Sequence, residues 1–127
     1  MTRVTSPAQP RRDAARTRRD ASDGVAAGLP TPYAEAVLDL VARIPRGRVM
    51  AYGDVAAALQ QGGGPRQVGT VMARFGSGVP WHRVVRADGG LPAGHEAEAL
   101  RRHRREGTPL RGSKVDIRLA RWTPDPS

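Results

Sequence analysis

The apolar positions between residues 31 and 44 recur at the spacing of an α-helix. The positions are Val37, Leu38, Val41 and Ile44, three and four residues apart, so they share one helix face. Thr31 is a candidate N-cap, and Pro32 suits the first helical position. Because Pro45 and Gly47 follow, the pattern predicts an amphipathic helix of about three turns that ends before them.

Two shorter helical patterns come next, separated by glycines at 62–64. The segment "RVMAY" predicts a short extended link, and Asp54 is a candidate cap for the helix that follows. Pro65 begins the second pattern and Gly76 ends it. The apolar positions of the two patterns are Val55, Ala58 and Leu59, then Val68, Val71, Met72 and Phe75. Two short helices joined by a glycine turn, with a helix to pack against, are typical of a helix-turn-helix.

The remaining patterns complete a mainly α fold with a small β hairpin, of the helix-turn-helix or winged-helix-like kind. The turn residues at 87–90 predict the hairpin or wing. A last helix is expected from about Glu96 to Glu106. Residues 1–28 lack aromatic and almost all large aliphatic residues, so we expect a flexible basic tail there. The folded domain is then 29–122, and 123–127 form a second flexible tail.

Charge and composition narrow the possible partners. The chain has 21 Lys and Arg against 12 Asp and Glu, a formal charge of +9, which favours a polyanion such as nucleic acid. It contains no cysteine, so disulfides and thiol nucleophiles are excluded. His82, His95 and His103 lack tight ligand spacing, and we expect no metal and no cofactor. No apolar run is long enough for a membrane span, and no secretory leader is visible, so we expect the cytoplasm.

Four stretches occur in one order with a familiar spacing: "IPRGRVMAYGDVA", "RQVG", "PWHRVV" and "REG". Together they resemble the DNA-binding domain of the alkylguanine-DNA alkyltransferases, whose active-site signature is Pro-Cys-His-Arg-Val. Here Trp81 stands at the cysteine position, between Pro80 and His82. This replacement resembles the alkyltransferase-like proteins, which keep the DNA-lesion site and lack the acceptor thiol. Two segments depart from the family pattern: "ARFGSGVPW" before the signature and "LPAGHEAEAL" after it.

The resemblance implies a lesion pocket made by Trp81, His82, Arg83 and Val84. An indole offers a broad apolar face to a flipped base. Because a thiolate is the nucleophile of the alkyltransferases and this chain has none, we expect no alkyl transfer and no catalytic residue. In the family, His82 and Glu106 would relay the thiol proton. Here they remain either as scaffold, which we favour, or as a pair that activates water.

The resemblance also implies which residues meet DNA. Tyr52 matches the tyrosine that presses on the phosphate beside the target nucleotide, and Arg66 the arginine that fills the space of the flipped base. The helix from Pro65 would enter the minor groove. Its DNA-contacting residues would be Arg66, Gln67, Gly69, Thr70 and Ala73, with phosphate contacts from arginines such as Arg46, Arg48, Arg74, Arg83 and Arg86. The alternatives are that Tyr52 is a half-buried aromatic, that Arg66 is merely solvated, and that Gly69 only permits close helix packing.

Together these expectations describe a monomeric, non-enzymatic sensor of DNA damage. It would bind duplex DNA, associate with the nucleoid, flip O6-alkylguanine into the pocket and flag the lesion for nucleotide excision repair proteins. Two other functions stay open. One is a lesion-processing hydrolase that uses His82 and Glu106, and the other is a winged-helix transcriptional regulator of one undamaged sequence.

Overall fold

The computed structural model describes residues 25–26, 29–60 and 63–124. The predicted tail at 1–28 lies outside the described residues except for β1 (Val25–Ala26), which pairs antiparallel with β2 (Leu29–Pro30). Within the described residues, paired backbone is thus already present at Val25, before the expected boundary at residue 29. The glycine turn at 62–64 is described only for its last two residues, and the C-terminal tail only for its first two.

The first predicted helix is confirmed as α1 (Pro32–Arg43). The Thr31 hydroxyl oxygen accepts a hydrogen bond from the N–H of Ala34 at 3.2 Å, which supplies the expected N-cap. Ile44 is extended, as expected for the residue before a proline. The buried face differs in one place from the predicted one, because Leu40 is buried and Leu38 only partly so.

The next two helices pack on α1 and form the predicted helix-turn-helix. These helices are α2 (Tyr52–Leu59) and α3 (Pro65–Phe75). Asp54 does cap α2, but as its third residue rather than its N-cap, with its carboxylate accepting from the N–H of Ala51 at 3.2 Å. The helix thus begins three residues earlier than an N-cap at Asp54 predicts. Most of the first core cluster comes from α1, α2 and α3.

The first core cluster meets a second one at a short parallel strand pair. The second core consists of Val49, Val85, Leu91, Ala99, Val115 and Ala120. Met50–Ala51 (β3) pairs with Val84–Val85 (β4), Met50 with Val84 and Ala51 with Val85. Val84 belongs to the first core and Val85 to the second, since successive strand residues point to opposite faces. The crossover between β3 and β4 consists of α2, α3 and two 3₁₀ turns, Gly76–Gly78 and Trp81–Arg83.

The small hairpin is not at 87–90, where the sequence predicts it. The N–H of Gly89 bonds the carbonyl oxygen of Arg86 at 2.8 Å, so a turn is present, but β4 has its partner in β3. The antiparallel pair lies later, between β5 (Leu110–Arg111) and β6 (Lys114–Val115). Gly89 supports it, because its φ is +87° and a Cβ there would collide with the Val115 carbonyl.

Two helices complete the described chain. The predicted last helix is confirmed as α4 (Glu96–Glu106), and a further short helix, α5 (Ile117–Ala120), follows β6. Ala99 of α4 and Ala120 of α5 are buried in the second core. This packing fixes α4 beside the Trp81–Arg83 turn. No helix of the described residues is long and apolar enough to cross a membrane.

Candidate nucleic-acid interface

A cavity of about 440 Å³ opens between α3, the Trp81–Arg83 turn and the start of α4. Its lining residues are Tyr52, Gly69, Met72, Ala73, Gly76, Ser77, Trp81, Pro92, Ala93, His95 and Glu98. The cavity is within the size range of small-molecule sites in proteins. Trp81 therefore lies in the wall of a space that includes one face of the helix expected to enter DNA.

Three of the four residues predicted to form the pocket lie outside this lining. Val84 is fully buried in β4, and His82 is 3% exposed. Arg83 is directed to Glu106 and to the carbonyl oxygen of Ile44. Since consecutive residues of a tight 3₁₀ turn point in different directions, only Trp81 of the "WHR" triplet reaches the cavity.

The Trp81 indole is held by charged side chains of α4. The Arg102 guanidinium carbon lies 5.1 Å from its ring centroid, within the range of a cation–π contact. Arg102 also donates from Nε and from a terminal nitrogen to one carboxylate oxygen of Glu98, at 3.1 and 2.7 Å. The His95 ring lies edge-on to the indole at 5.6 Å. The wall is thus preformed on one side by Arg102 and Glu98.

Glu106 is the centre of a buried ion cluster. Its carboxylate accepts from Arg83 Nε at 3.1 Å, from an Arg83 terminal nitrogen at 2.7 Å, and from the Gly47 N–H at 3.2 Å. The fourth bond, at 2.8 Å, joins it to His82 Nε2. Burial would raise the pKa of the Glu106 carboxyl, but the hydrogen bonds from Arg83, His82 and Gly47 outweigh it and lower the pKa to about 2.

The same contacts determine which nitrogen of the His82 ring carries a proton. Because Glu106 is ionised, His82 Nε2 carries the proton and donates it to the carboxylate. Burial lowers the pKa of His82, against the opposing effect of Glu106, so the ring is neutral near pH 7. Its Nδ1 is buried and has no hydrogen-bond partner in the described part of the chain. An orienting carboxylate and a free ring nitrogen are the parts of a general base, but this side chain is not in the cavity lining.

His103 supports the Trp81–Arg83 turn, a role that the sequence does not indicate. It is fully buried, and its ring nitrogens lie 2.8 Å from the Thr108 hydroxyl and 2.7 Å from the carbonyl oxygen of His82. The carbonyl can only accept, so Nε2 of His103 donates to it and Nδ1 accepts from Thr108. This role cannot be read from the sequence, because only the fold brings α4 against the turn.

The outer face of α3 is open. A Cβ built on Gly69 would meet nothing within 4 Å, so Gly69 does not serve close helix packing, and that alternative is wrong. Arg66 and Ala73 are exposed, while Gln67 and Thr70 are half-buried. Small residues on an open helix face allow another surface to approach the backbone closely.

Tyr52 lies at the junction of β3 and α2 and lines the cavity. It is half-buried. Burial raises the pKa of its hydroxyl, and the positive charge of Arg86 opposes this effect. Arg86 is exposed. A phenol and a guanidinium therefore lie in the same region beside the cavity.

Two of the arginines predicted to contact phosphates form several hydrogen bonds within the protein. Arg83 belongs to the Glu106 cluster, and Arg48 donates to the carbonyl oxygens of Ala120 and Arg121 at 3.0 and 2.6 Å. Arg74 lies 5.7 Å from the Phe75 ring. Arg46 makes one long bond of 3.5 Å, to the carbonyl oxygen of Arg105. Of these arginines, Arg83 has its charge balanced by Glu106, while Arg46, Arg48, Arg74 and Arg86 are exposed.

Ala93 and His95 lie in the segment "LPAGHEAEAL", at the approximate place of a pocket-lining stretch in the family, and both line the cavity. The lining residues that were not identified as pocket residues from the sequence are Met72, Gly76, Ser77, Pro92 and Glu98. Only the four-residue spacing of Glu98 and Arg102 is readable as a helical ion pair. Among the described residues, no group of three or more His, Asp or Glu side chains could hold a metal ion.

Comparison with known proteins gives a consistent result. The family model of the 6-O-methylguanine DNA methyltransferase DNA-binding domain matches residues 32–107. A protein of Escherichia coli (strain K12), named DNA base-flipping protein, is 38% identical over 97 residues, covering 71% of this chain and 74% of that protein. A methylated-DNA–protein-cysteine methyltransferase of Methanothermobacter thermautotrophicus is 44% identical over 61 residues, covering 46% of this chain and 34% of the enzyme.

A solved structure resembles this fold over most of its length. It is that of S. pombe Atl1 in complex with damaged DNA containing O6-carboxymethylguanine, with 29% sequence identity and a TM-score of 0.63. The similarity covers 72% of this chain and 95% of that one. The family match itself extends from the first residue of α1 to just beyond the end of α4.

Proposed function

The chain belongs to the 6-O-methylguanine DNA methyltransferase DNA-binding domain family, as an alkyltransferase-like protein, and we propose that it is a sensor of alkylated DNA. It binds duplex DNA through α3 and turns O6-alkylguanine out of the helix into the cavity beside Trp81. It holds the lesion without removing the alkyl group. The names of two relatives, a base-flipping protein and Atl1 bound to damaged DNA, support this proposal.

One observation carries the proposal: Trp81, at the acceptor position, lines a cavity that also includes Gly69 and Ala73 of α3 and Tyr52. A nucleotide must leave the base stack before a protein can enclose it, which costs a few kcal/mol. The cavity lies where α3 would present it to the groove. In this proposal Arg66, which is exposed in the first turn of α3, fills the vacated space with a planar cation.

We propose that the protein has no alkyltransferase activity. The chain contains no cysteine, and the transfer needs a thiolate. The contacts of His82 and Glu106 support a scaffold role, because Glu106 also accepts hydrogen bonds from Arg83 and Gly47. The buried free Nδ1 of His82 keeps a lesion hydrolase as the second candidate.

Four further points remain proposals, some of them from the family resemblance and some from the composition of the sequence. The flagged lesion passes to nucleotide excision repair proteins, the protein acts as a monomer, and it works in the cytoplasm in association with the nucleoid. The fourth is the division of the chain into a basic tail at 1–28, a domain at 29–122 and a short tail at 123–127.

The proposed function predicts tighter binding to damaged DNA without chemistry. Equilibrium binding is measured for two duplexes that differ by one O6-methylguanine, at two salt concentrations, and the recovered DNA is weighed by mass spectrometry. We expect preference for the lesion, a steep salt dependence and an unchanged mass. Equal affinity for both duplexes would support the regulator of an undamaged sequence. A changed mass would mean that His82 and Glu106 process the lesion.

Substitutions of Gly69 separate the groove-facing role of α3 from folding. Gly69→Ala is expected to raise the free energy of unfolding by about 0.5 to 1 kcal/mol, because alanine favours a helix and its Cβ meets nothing. Gly69→Leu projects a bulky side chain from the same face, and we expect about tenfold weaker DNA binding with no loss of stability. Thermal melts and binding curves of both variants check this. Undiminished binding by Gly69→Leu would exclude contact between this face and DNA.

A further inference from the structure

A second pocket, of about 390 Å³, lies against the other end of α4. Its lining residues are Arg46, His82, Arg102, Arg105 and Glu106, and we call it the basic pocket. None of these residues lines the cavity beside Trp81. The proposed lesion site leaves the basic pocket unused.

The charge of the basic pocket is positive. Its one carboxylate, Glu106, already accepts four hydrogen bonds, two of them from Arg83, which is not in the pocket lining. The guanidinium of Arg105 has no ion pair or hydrogen bond within the part of the chain that the structure describes, and Arg46 has only its 3.5 Å bond to a carbonyl oxygen. Two cations that form no ion pair among the described residues therefore border this concave space.

We propose that the basic pocket binds a phosphoryl group. The forked, planar donors of arginine match the oxygens of phosphate, and charge-assisted hydrogen bonds to it are among the stronger ones. Arg46 comes from the loop after α1 and Arg105 from the last turn of α4, so their side chains approach the ligand from two elements. The basic pocket shares no lining residue with the cavity beside Trp81.

Arg102 connects the basic pocket to the lesion cavity. It lines the pocket, and at the same time it contacts the Trp81 ring and bonds Glu98, both of which line the cavity. An anion that attracts the Arg102 guanidinium competes directly with Glu98 for the same donors. Occupation of the basic pocket therefore changes the surroundings of the Trp81 indole.

The test uses inorganic pyrophosphate and the full DNA-free chain, with calorimetry at constant ionic strength. Arg46→Ala with Arg105→Ala removes two pocket cations. The matched control, Arg43→Ala with Arg104→Ala, removes two exposed cations from the same two regions. We expect binding by the wild type and the control within about twofold, and at least about tenfold weaker binding by the pocket variant. Absence of binding by the wild type, or equal losses in both variants, would overturn the proposal.

Two further measurements identify the source of the phosphoryl group and test the connection through Arg102 between the basic pocket and the Trp81 indole. If the source is the DNA backbone, the pocket variant loses about one unit more than the control from the slope of log K against log salt. If it is a free anion, the slopes agree. In a Trp122→Phe background, pyrophosphate should change the emission of Trp81 in the control but not in the pocket variant. Unchanged Trp81 emission at saturation would contradict the part assigned to Arg102.

Discussion

Arg66→Ala is expected to abolish most of the preference for damaged DNA. Base flipping leaves a gap in the stack, and a planar side chain that fills it recovers part of the unstacking cost, on the order of 1–3 kcal/mol. Loss of that contribution weakens binding to an O6-methylguanine duplex by about fivefold to 150-fold. The fold should be unaffected, because the Arg66 side chain is exposed at the first turn of α3.

The charge lost with Arg66 needs its own control. Arg74→Ala removes an equally exposed cation from the last turn of the same helix. Both variants should bind undamaged DNA a few-fold more weakly, since each removes one positive charge. Only Arg66→Ala should reduce the ratio of damaged to undamaged affinity. If that ratio survives Arg66→Ala, the intercalating role is wrong and Arg66 is a phosphate contact.

The helices could be predicted from the sequence because their limits are set locally. Thr31 and Pro32 begin α1, Pro65 and Gly76 delimit α3, and α4 runs over the expected residues. A capping hydroxyl or a proline acts on the residues next to it in the chain, so its effect can be read without the fold. The start of α2 was misjudged because the Asp54 carboxylate reaches back to Ala51.

The strand pairing could not be predicted in the same way. Val84 and Val85 pair with Met50 and Ala51, which precede the whole helix-turn-helix in the chain. No residue near either strand indicates a partner so far away in the sequence. The turn at 87–90 carries the usual signals of a hairpin, yet the preceding strand is already paired. The hairpin at Leu110–Val115 depends on contact between Gly89 and Val115, which is equally non-local.

The sequence could indicate which segment forms the candidate site, but not which of its side chains face the cavity. The resemblance to the family signature predicts Trp81 as a pocket residue, and this side chain lines the cavity. Which neighbour faces the cavity depends on the 3₁₀ turn, and this turn sends Arg83 and His82 to Glu106 instead. An arginine in a basic chain is readily interpreted as a DNA contact. Only the burial of Glu106 shows that Arg83 balances an interior charge.

Glu106→Gln is expected to cause the largest loss of stability. The amide keeps the shape of the side chain but removes the charge, and its NH₂ group faces donors. The amide oxygen can replace only one of the two carboxylate oxygens, so either Arg83 and His82, or Arg83 and the Gly47 N–H, face the NH₂ group without an acceptor. Removing one partner of a buried ion pair costs about 3–5 kcal/mol, a large share of the stability of a small domain. Chemical denaturation at pH 7 measures this loss directly.

The pH dependence of that loss identifies its origin. The pKa of Glu106 is lowered to about 2 in the folded protein, so its charge stabilises the fold fully above the unfolded pKa of about 4.3 and is lost as the pH falls through about 2. The difference in unfolding free energy between wild type and Glu106→Gln should therefore shrink by about 3 kcal/mol over that range. Glu96→Gln, at an exposed position of the same helix, should cost about 0.5 kcal/mol or less. A deficit in Glu106→Gln that stays constant from neutral pH to pH 2 would mean that packing, not the buried carboxylate charge, holds Arg83 and His82 in place.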